Sequence, residues 1–156
     1  MTLRTYPRLV PGRRFDQLVD YACVALHSEI STISVSEPHW NRFIAVHGLP
    51  DALVETGGYV IEQSICGHVA AMGKPLEISD GHVHPLVSRS ATVREVGIVS
   101  YLGHPLHAPD GRSIGAISVC NTRRRDWTEA DHHTLSLLAR LTDRAILRVL
   151  SADSPA

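Results

Sequence analysis

The chain has 156 residues, 44% of them hydrophobic and 20% charged, a composition that predicts one folded domain with its own core and excludes a chain that is disordered as a whole. Its 15 basic and 16 acidic residues give a net charge of -1, so electrostatics favour neither nucleic acid nor an anionic membrane as a partner. No apolar run approaches the ~20 residues that span a bilayer, and three widely spaced cysteines exclude a disulfide framework. We therefore expect a cytoplasmic protein.

The first part of the chain predicts a helix followed by a β-hairpin. Residues 1–12 contain two prolines and are predicted to be an extended lead-in. Apolar residues at helical spacing predict an amphipathic helix over 13–27. The β-branched segment 29–36 predicts a strand, and a Glu-Pro turn connects it to a second strand over 39–47.

The middle of the chain predicts an irregular insertion with short elements. Residues 48–58 contain several glycines and prolines and are predicted to be mostly loop. Ser64 is predicted to cap a helix over 65–72 that Gly73 ends. A short strand is predicted over 75–78.

The last part of the chain predicts a loop over 79–89, a short helical stretch over 91–96 and two strong strands over 98–106 and 113–121. A Pro-Asp-Gly turn at 109–111 connects the two strands as an antiparallel hairpin. The order of all these elements predicts an α+β domain with an antiparallel sheet.

A capping box of Thr128 and Asp131 predicts the start of the final helix, over 129–150, and the tail 151–156 is expected to be disordered. This helix has one apolar stripe and further leucines outside it, which predict a second buried contact. The first helix, or the same helices of a second subunit, can supply that contact, and we favour a dimer. The leucines outside the stripe are Leu137, Leu141, Leu147 and Leu150.

Six ordered segments along the chain resemble the GAF domain, in particular the type fused to bacterial histidine kinases, diguanylate cyclases and PP2C-type phosphatases. The likeness covers residues 13–150, and no single segment carries it alone. The segments are SICGHVA (64–70), GKPLEISD (73–80), HPLV (84–87), GIVSYLGHPL (97–106), DGRSIGAISV (110–119) and WTEAD (127–131).

The resemblance implies a six-stranded antiparallel sheet, in the order 2-1-5-4-3-6 or a close variant, with the terminal helices on one face. Residues 59–97 would form a helix and loop lid over a pocket on the other face. GAF pockets bind cyclic nucleotides, haem, bilins, 2-oxo acids, nitrate and other small molecules, so the ligand and any cofactor remain open. The implied function is a small-molecule or signal-sensing module of bacterial signal transduction.

The same resemblance implies partners for this module. We expect a homodimer through helices 13–27 and 129–150, and an output kinase, cyclase or phosphatase, either as a separate protein or as another domain of the protein from which this domain comes. Ligand binding would order residues 59–97 and change the packing of the terminal helices.

Eight residues are candidates for ligand contact, because they combine large amphipathic or polar side chains with positions in the strands or in the lid. No catalytic or metal-binding residue is assigned. The candidates are Trp40, Tyr59, Gln63, Ser64, Cys66, His84, Arg94 and Tyr101.

Two alternatives to a sensor remain. One is a thiol-dependent enzyme like the free methionine-(R)-sulfoxide reductases, which share the GAF fold and use cysteines around this pocket. Cys66 lies where that family often has a cysteine, but residues 79–97, where the nucleophile is expected, contain none. We therefore predict that Cys66 and Cys120 are structural and that the protein is not an enzyme. The other alternative is a dimerisation module with an unused pocket.

Overall fold

The computed structural model describes residues 5–151, so the first four residues and most of the predicted tail lie outside the described part of the chain. The helices are α1 (Arg13–Leu26), α2 (Asp51–Thr56), α3 (Ile65–Met72), α4 (Ala91–Arg94) and α5 (Glu129–Ser151), with one 3-10 turn at Ile61–Gln63. The strands are β1 (Ile30–Ser36), β2 (Trp40–His47), β3 (Gly58–Val60), β4 (Leu76–Ile78), β5 (Ser100–His107) and β6 (Ser113–Asn121).

The six strands form one antiparallel sheet in the order β3-β2-β1-β6-β5-β4. The five strands predicted from the sequence have the neighbours expected for them. The sixth strand differs from the expected order 2-1-5-4-3-6, because it is β3 and lies beside β2, at the opposite edge from β4. The general prediction of a six-stranded antiparallel α+β sheet is confirmed.

The prediction that residues 48–58 are mostly loop was wrong. Pro50 and Gly57, interpreted as loop residues, instead flank the short helix α2. Gly58 then begins β3 and pairs with Arg42. A Cβ atom on Gly58 would lie 2.0 Å from the carbonyl oxygen of Asn41, so only glycine allows this close pairing.

Local capping signals were predicted correctly for both α3 and α5. The Asp131 amide donates to Thr128 Oγ1 at 3.1 Å, and the Thr128 amide donates to Asp131 Oδ2 at 3.0 Å, which completes the capping box of α5. The Gly67 amide donates to Ser64 Oγ at 3.1 Å at the start of α3, and Gly73 ends that helix with φ 64°.

The sheet separates two hydrophobic clusters. The helices α1 and α5 cover one face, where residues such as Val19, Ile33 and Leu135 are almost completely buried. The helix α3 and the segment 79–99 cover the other face over a smaller cluster that includes Val69 and Tyr101. Terminal helices on one face and a lid on the other are the arrangement that the resemblance implied.

Candidate functional site

A small cavity lies between the sheet and the lid (residues 59–97). Its walls come from β1, β2, β3, β5, β6, the start of α3, and α4, and none of the fourteen lining residues is charged. The space open to the centre of a water molecule is only about 30 Å³. The lining residues are Ile30, Thr32, Asn41, Phe43, Leu49, Tyr59, Ser64, Ile65, Cys66, Thr92, Ile98, Tyr101, Ser118 and Cys120.

Strand alternation determines which sheet residues line this cavity. Thr32 faces the lid while its neighbour Ile33 faces the terminal helices, and Cys120 likewise faces the lid while Val119 does not. Tyr101 lies on the same lid-facing side of β5 and is buried completely among these groups. The period of two in each strand therefore assembles one wall from three different strands.

A glycine makes room for the Tyr101 side chain. A Cβ atom at Gly103, two residues further along the same face of β5, would lie 2.3 Å from Tyr101 Oη. The phenol can therefore lie along the strand towards the cavity only because position 103 has no side chain.

Hydroxyl and thiol groups form a connected network on the cavity wall. Cys66 Sγ lies 3.1 Å from Tyr101 Oη and 3.7 Å from Thr32 Oγ1. Thr32 Oγ1 lies 2.8 Å from Ser118 Oγ, which lies 3.9 Å from Cys120 Sγ. In each of these pairs either atom can donate, so the network can reorganise its protons without creating a charge.

Tyr59 brings a polar atom into the cavity that the protein itself leaves unsatisfied. Its hydroxyl is buried and has no hydrogen-bond partner among residues 5–151. The Thr92 hydroxyl, on the same cavity wall, lies close enough to lower the pKa of Tyr59 against the larger effect of burial, but it donates its own proton to the backbone carbonyl of Gln63 at 3.0 Å. Burial raises the pKa of Tyr59 to about 12, so the phenol stays neutral and can donate to an acceptor in the cavity.

Burial keeps Tyr101 and Cys120 neutral as well. It raises the pKa of Tyr101 well above its usual value, and the adjacent Cys66 adds to this effect. Burial also raises the pKa of the Cys120 thiol far above its usual value. The cavity can thus offer hydrogen bonds from neutral groups, and a Cys120 thiolate nucleophile is strongly disfavoured in this environment.

Two sets of hydrogen bonds hold the lid in place. The side-chain oxygen of Gln63 accepts from the Ala91 amide at 2.8 Å, which connects the entrance of α3 to α4. At the end of β4, the Trp127 indole donates to the Ile78 carbonyl at 3.1 Å. The Arg125 guanidinium lies 4.2 Å from the centre of the Trp127 ring and stabilises its position through a cation–π contact.

Of the eight candidate contact residues, Tyr59, Ser64, Cys66 and Tyr101 lie together in the cavity wall. Their side chains share one space although they come from β3, the start of α3 and β5. Their contact with a ligand remains a prediction.

The other four candidates lie outside the lining of this cavity. Trp40 is half-buried on β2 and packs near Gly58, where a Cβ atom would lie 2.8 Å from the indole nitrogen. Gln63 is exposed and anchors α4. His84 accepts from the Leu86 amide in the lid loop, and the exposed Arg94 donates to the Ser88 carbonyl. Ligand contact by these four residues also remains a prediction.

Sequence reasoning missed several lining residues. Thr32, Ser118 and Cys120 could have been found, because they alternate with core residues on strands that were predicted correctly. Leu49 and Thr92 carry no such signal, since Leu49 lies in a loop and Thr92 lies in the four-residue helix α4, which is too short to show a period.

Within residues 5–151, no group of three or more His, Cys, Asp or Glu side chains is placed to hold a metal ion. In the same range, no helix is both long enough and apolar enough to cross a bilayer.

Comparisons with known proteins agree with this architecture. The GAF domain family model matches residues 11–146. The diguanylate cyclase DgcP of Escherichia coli (strain K12) is 35% identical over 48 residues, which cover 31% of this chain and 14% of the cyclase. The chain thus matches only about one seventh of that relative's length.

Two solved structures illustrate the range of proteins with this fold. The PixJ GAF domain of Thermosynechococcus elongatus, in its blue-light absorbing form, has a TM-score of 0.71 and 19% identity, covering 90% of this chain and 86% of that one. Free methionine-R-sulfoxide reductase of Neisseria meningitidis, in complex with its substrate, has a TM-score of 0.71 and 17% identity, covering 88% and 78%. At these identities the likeness shows a shared fold. Together with the family match over most of its length, the sheet and the lid show that this chain belongs to the GAF domain family.

Proposed function

We propose that this chain is a small-molecule-sensing GAF module of bacterial signal transduction, with its ligand in the cavity under residues 59–97. The observation that carries the proposal is the buried Tyr59 hydroxyl, which faces this cavity without a hydrogen-bond partner among the described residues. An unsatisfied buried hydroxyl costs about 1–3 kcal/mol, and a ligand acceptor would recover this cost. The proposed contacts are Tyr59, Ser64, Cys66 and Tyr101.

The lining favours an uncharged ligand. A charged group brought into this cavity would lose its hydration and find no opposite charge among the fourteen lining residues. Apolar side chains surround a few hydroxyls and thiols, so a compact molecule with one carbonyl or ether oxygen fits the chemistry best. This prediction separates the chain from GAF domains that bind anionic ligands.

Ligand entry would have to move the lid. The closed cavity leaves about 30 Å³ for water centres, which is room for only one or two water molecules. A larger molecule therefore favours a state in which α3 or α4 has shifted. β1 and β6 can carry this shift to the helix layer, because each has residues on both faces, such as Thr32 and Ile33.

We propose that the helix layer transmits the signal through a homodimer. Tyr21 and Val24 on α1 are 60% and 72% exposed, and Leu137 and Leu141 on α5 are 45% and 49% exposed. Isolated apolar residues are common on surfaces, but four on two packed helices favour a partner. A second copy would bury them in a helical bundle, and an output kinase, cyclase or phosphatase would respond to the change in packing.

Native mass spectrometry of the protein purified without added ligand, compared with its denatured mass, tests the sensing proposal. We expect a co-purified mass below a few hundred daltons that the Tyr59→Phe variant retains poorly. Hydrogen exchange should then change in the lid and in α5 when the identified molecule is added back. A ligand that binds with no change in either segment would refute the coupling, and a dimer that binds no molecule would favour a dimerisation module.

The enzymatic alternative retains one supporting observation. Cys66 and Cys120 line the same cavity, and reductases of the same fold exist. The burial that raises the pKa of Cys120 opposes a thiolate there, so we favour the sensor.

A further inference from the structure

A second cavity lies on the other side of α3. The lid cavity contacts Ile65 and Cys66 at the start of this helix, whereas the second cavity contacts Gly67, Ala70 and Ala71. Its volume for water centres is about 110 Å³, several times that of the lid cavity. One α-helix thus separates two cavities.

Two hydrogen bonds within the protein hold the walls of the second cavity in position. Ser113 Oγ donates to the Ala70 carbonyl at 2.7 Å, which ties the β5–β6 hairpin to α3. The hairpin turn itself is closed by a hydrogen bond from the Ala108 amide to the Arg112 carbonyl at 2.9 Å. The position of Arg112 at the rim therefore follows from the turn.

The charges at this rim do not balance. The cavity is lined by one acid, Glu37, and one base, Arg112. Glu37 is already paired with Arg42, whose guanidinium also donates to the Tyr6 carbonyl at 3.0 Å. The half-buried Arg112 guanidinium has no hydrogen-bond or ion-pair partner within residues 5–151. The Asp110 carboxylate also lies close to this rim, because it accepts from the Arg112 backbone amide at 3.0 Å, but it forms no ion pair with the Arg112 guanidinium. Among the described side chains at this rim, the Arg112 guanidinium is thus the cation without a partner, and it lies beside an apolar floor.

We propose that this cavity binds a small amphipathic carboxylate, with its apolar body on the α3 floor and its carboxylate on Arg112. Guanidinium groups bind carboxylates through two parallel, charge-assisted hydrogen bonds. An apolar cavity of about 150 Å³ holds benzene in another protein, so about 110 Å³ suits a body of roughly four to six carbons. This site does not depend on the ligand proposed for the lid cavity. A carboxylate bound here would contact α3, the helix that also lines the lid cavity.

An NMR titration of the ¹⁵N-labelled chain with sodium hexanoate and with the uncharged hexanamide tests this proposal. We expect saturable amide shifts at Gly67, Ala71 and Ser113 for hexanoate and weaker binding of hexanamide. Arg112→Gln should weaken hexanoate binding about tenfold or more and leave hexanamide unchanged, because it removes the charge-assisted contact.

A cavity-filling variant tests the contribution of the apolar α3 floor separately from that of Arg112 at the rim. Ala71 is exposed on α3, so Ala71→Leu should fold normally while blocking both ligands. Met72→Leu, at the next helix position and outside the lining, is the matched control and should bind both. Equal affinities of the wild-type chain for hexanoate and hexanamide would overturn the proposal. Unchanged hexanoate binding by folded Arg112→Gln, or shifts confined to Tyr59 and Tyr101, would overturn it as well.

Discussion

His104 Nε2 on β5 lies 3.2 Å from His132 Nδ1 on α5, so two imidazoles share one hydrogen bond between the sheet and the final helix. His104 is 8% exposed, and the far nitrogen of His132 lies 3.6 Å from a carboxylate oxygen of Glu77. One ring must present a bare nitrogen to the other, because two facing N–H groups would repel.

This pair predicts a pH-dependent stability. Burial, and secondarily the adjacent His132, lowers the pKa of His104 from 6.5 to about 4. Between those values the unfolded chain binds more protons, so the free energy of unfolding should fall as the pH drops from about 6.5 to about 4. We expect a loss of about 1–2 kcal/mol from this group, less than the full shift implies because His132 and Glu77 are partly exposed.

Urea unfolding at several pH values measures this effect. His104→Gln, which can still bond to His132 but does not titrate, should show a flatter profile across the window. The exposed His133→Gln variant on the same helix is the control and should keep the wild-type slope. Equal slopes for all three proteins would contradict the assignment.

The capping box of α5 predicts a second stability effect. Thr128→Ala removes the acceptor of the Asp131 amide and should destabilise the fold by about 1 kcal/mol. Thr134→Ala changes the same residue type within the helix and should have a smaller effect, since alanine is a good helix former. The urea midpoints of the two variants check this, and a larger shift for Thr134→Ala would contradict it.

At Gly115 a single added methyl group should have a large effect on stability. A Cβ atom there would lie 2.0 Å from the Ser34 carbonyl oxygen, because Gly115 pairs with Val35 in the antiparallel ladder between β6 and β1. Gly115→Ala should therefore cost about 3 kcal/mol or more, because backbone rather than a flexible side chain must move. Gly12→Ala has open space around its new methyl group and serves as the control. Similar melting temperatures for the two variants would show that the strands can separate more easily than the packing implies.

Substitution of the two cavity cysteines distinguishes the sensor proposal from the reductase alternative. We expect Cys66→Ala and Cys120→Ala to fold and to differ little from the wild-type chain when incubated with free methionine-(R)-sulfoxide and a thiol reductant. The physical reason is that burial raises the pKa of the Cys120 thiol and disfavours its thiolate, while residues 79–97 supply no other cysteine as a nucleophile. Product analysis by mass spectrometry is the measurement. Turnover by the wild-type chain that disappears in either variant would establish the enzyme instead.

The proposed dimer predicts a change of mass in solution. Leu141→Glu places a charge among the exposed apolar residues of α1 and α5, which the proposed dimer would bury, and should shift the chain from dimer to monomer in light scattering after size exclusion. Val83→Glu introduces the same charge at a lid position that is 77% exposed and should leave the dimer intact. A monomeric wild-type chain would refute the dimer.

Much of the fold could be predicted from the sequence because its signals are local. Thr128 and Asp131 lie three residues apart, and the apolar repeats of α1 and α5 need no distant partner to be detected. Alternation in β5 and β6, with the Pro-Asp-Gly turn between them, likewise predicted a hairpin that the structure confirms. By contrast β3, three residues long, gives no periodic signal, and its glycine is explained only by the approach of Asn41.

The sequence by itself therefore determined the α+β class, most helix and strand positions, and the resemblance to the GAF family, because short-range periodicity and capping encode these features. Only the tertiary structure decided that Tyr59, Cys66 and Tyr101 share one cavity while His84 and Arg94 lie outside its lining. The reason is that the lid is positioned by long-range contacts, such as that between Gln63 and Ala91, which leave no pattern in the chain. The unpaired Arg112 beside the second cavity is likewise visible only once every neighbouring charge has been placed in space.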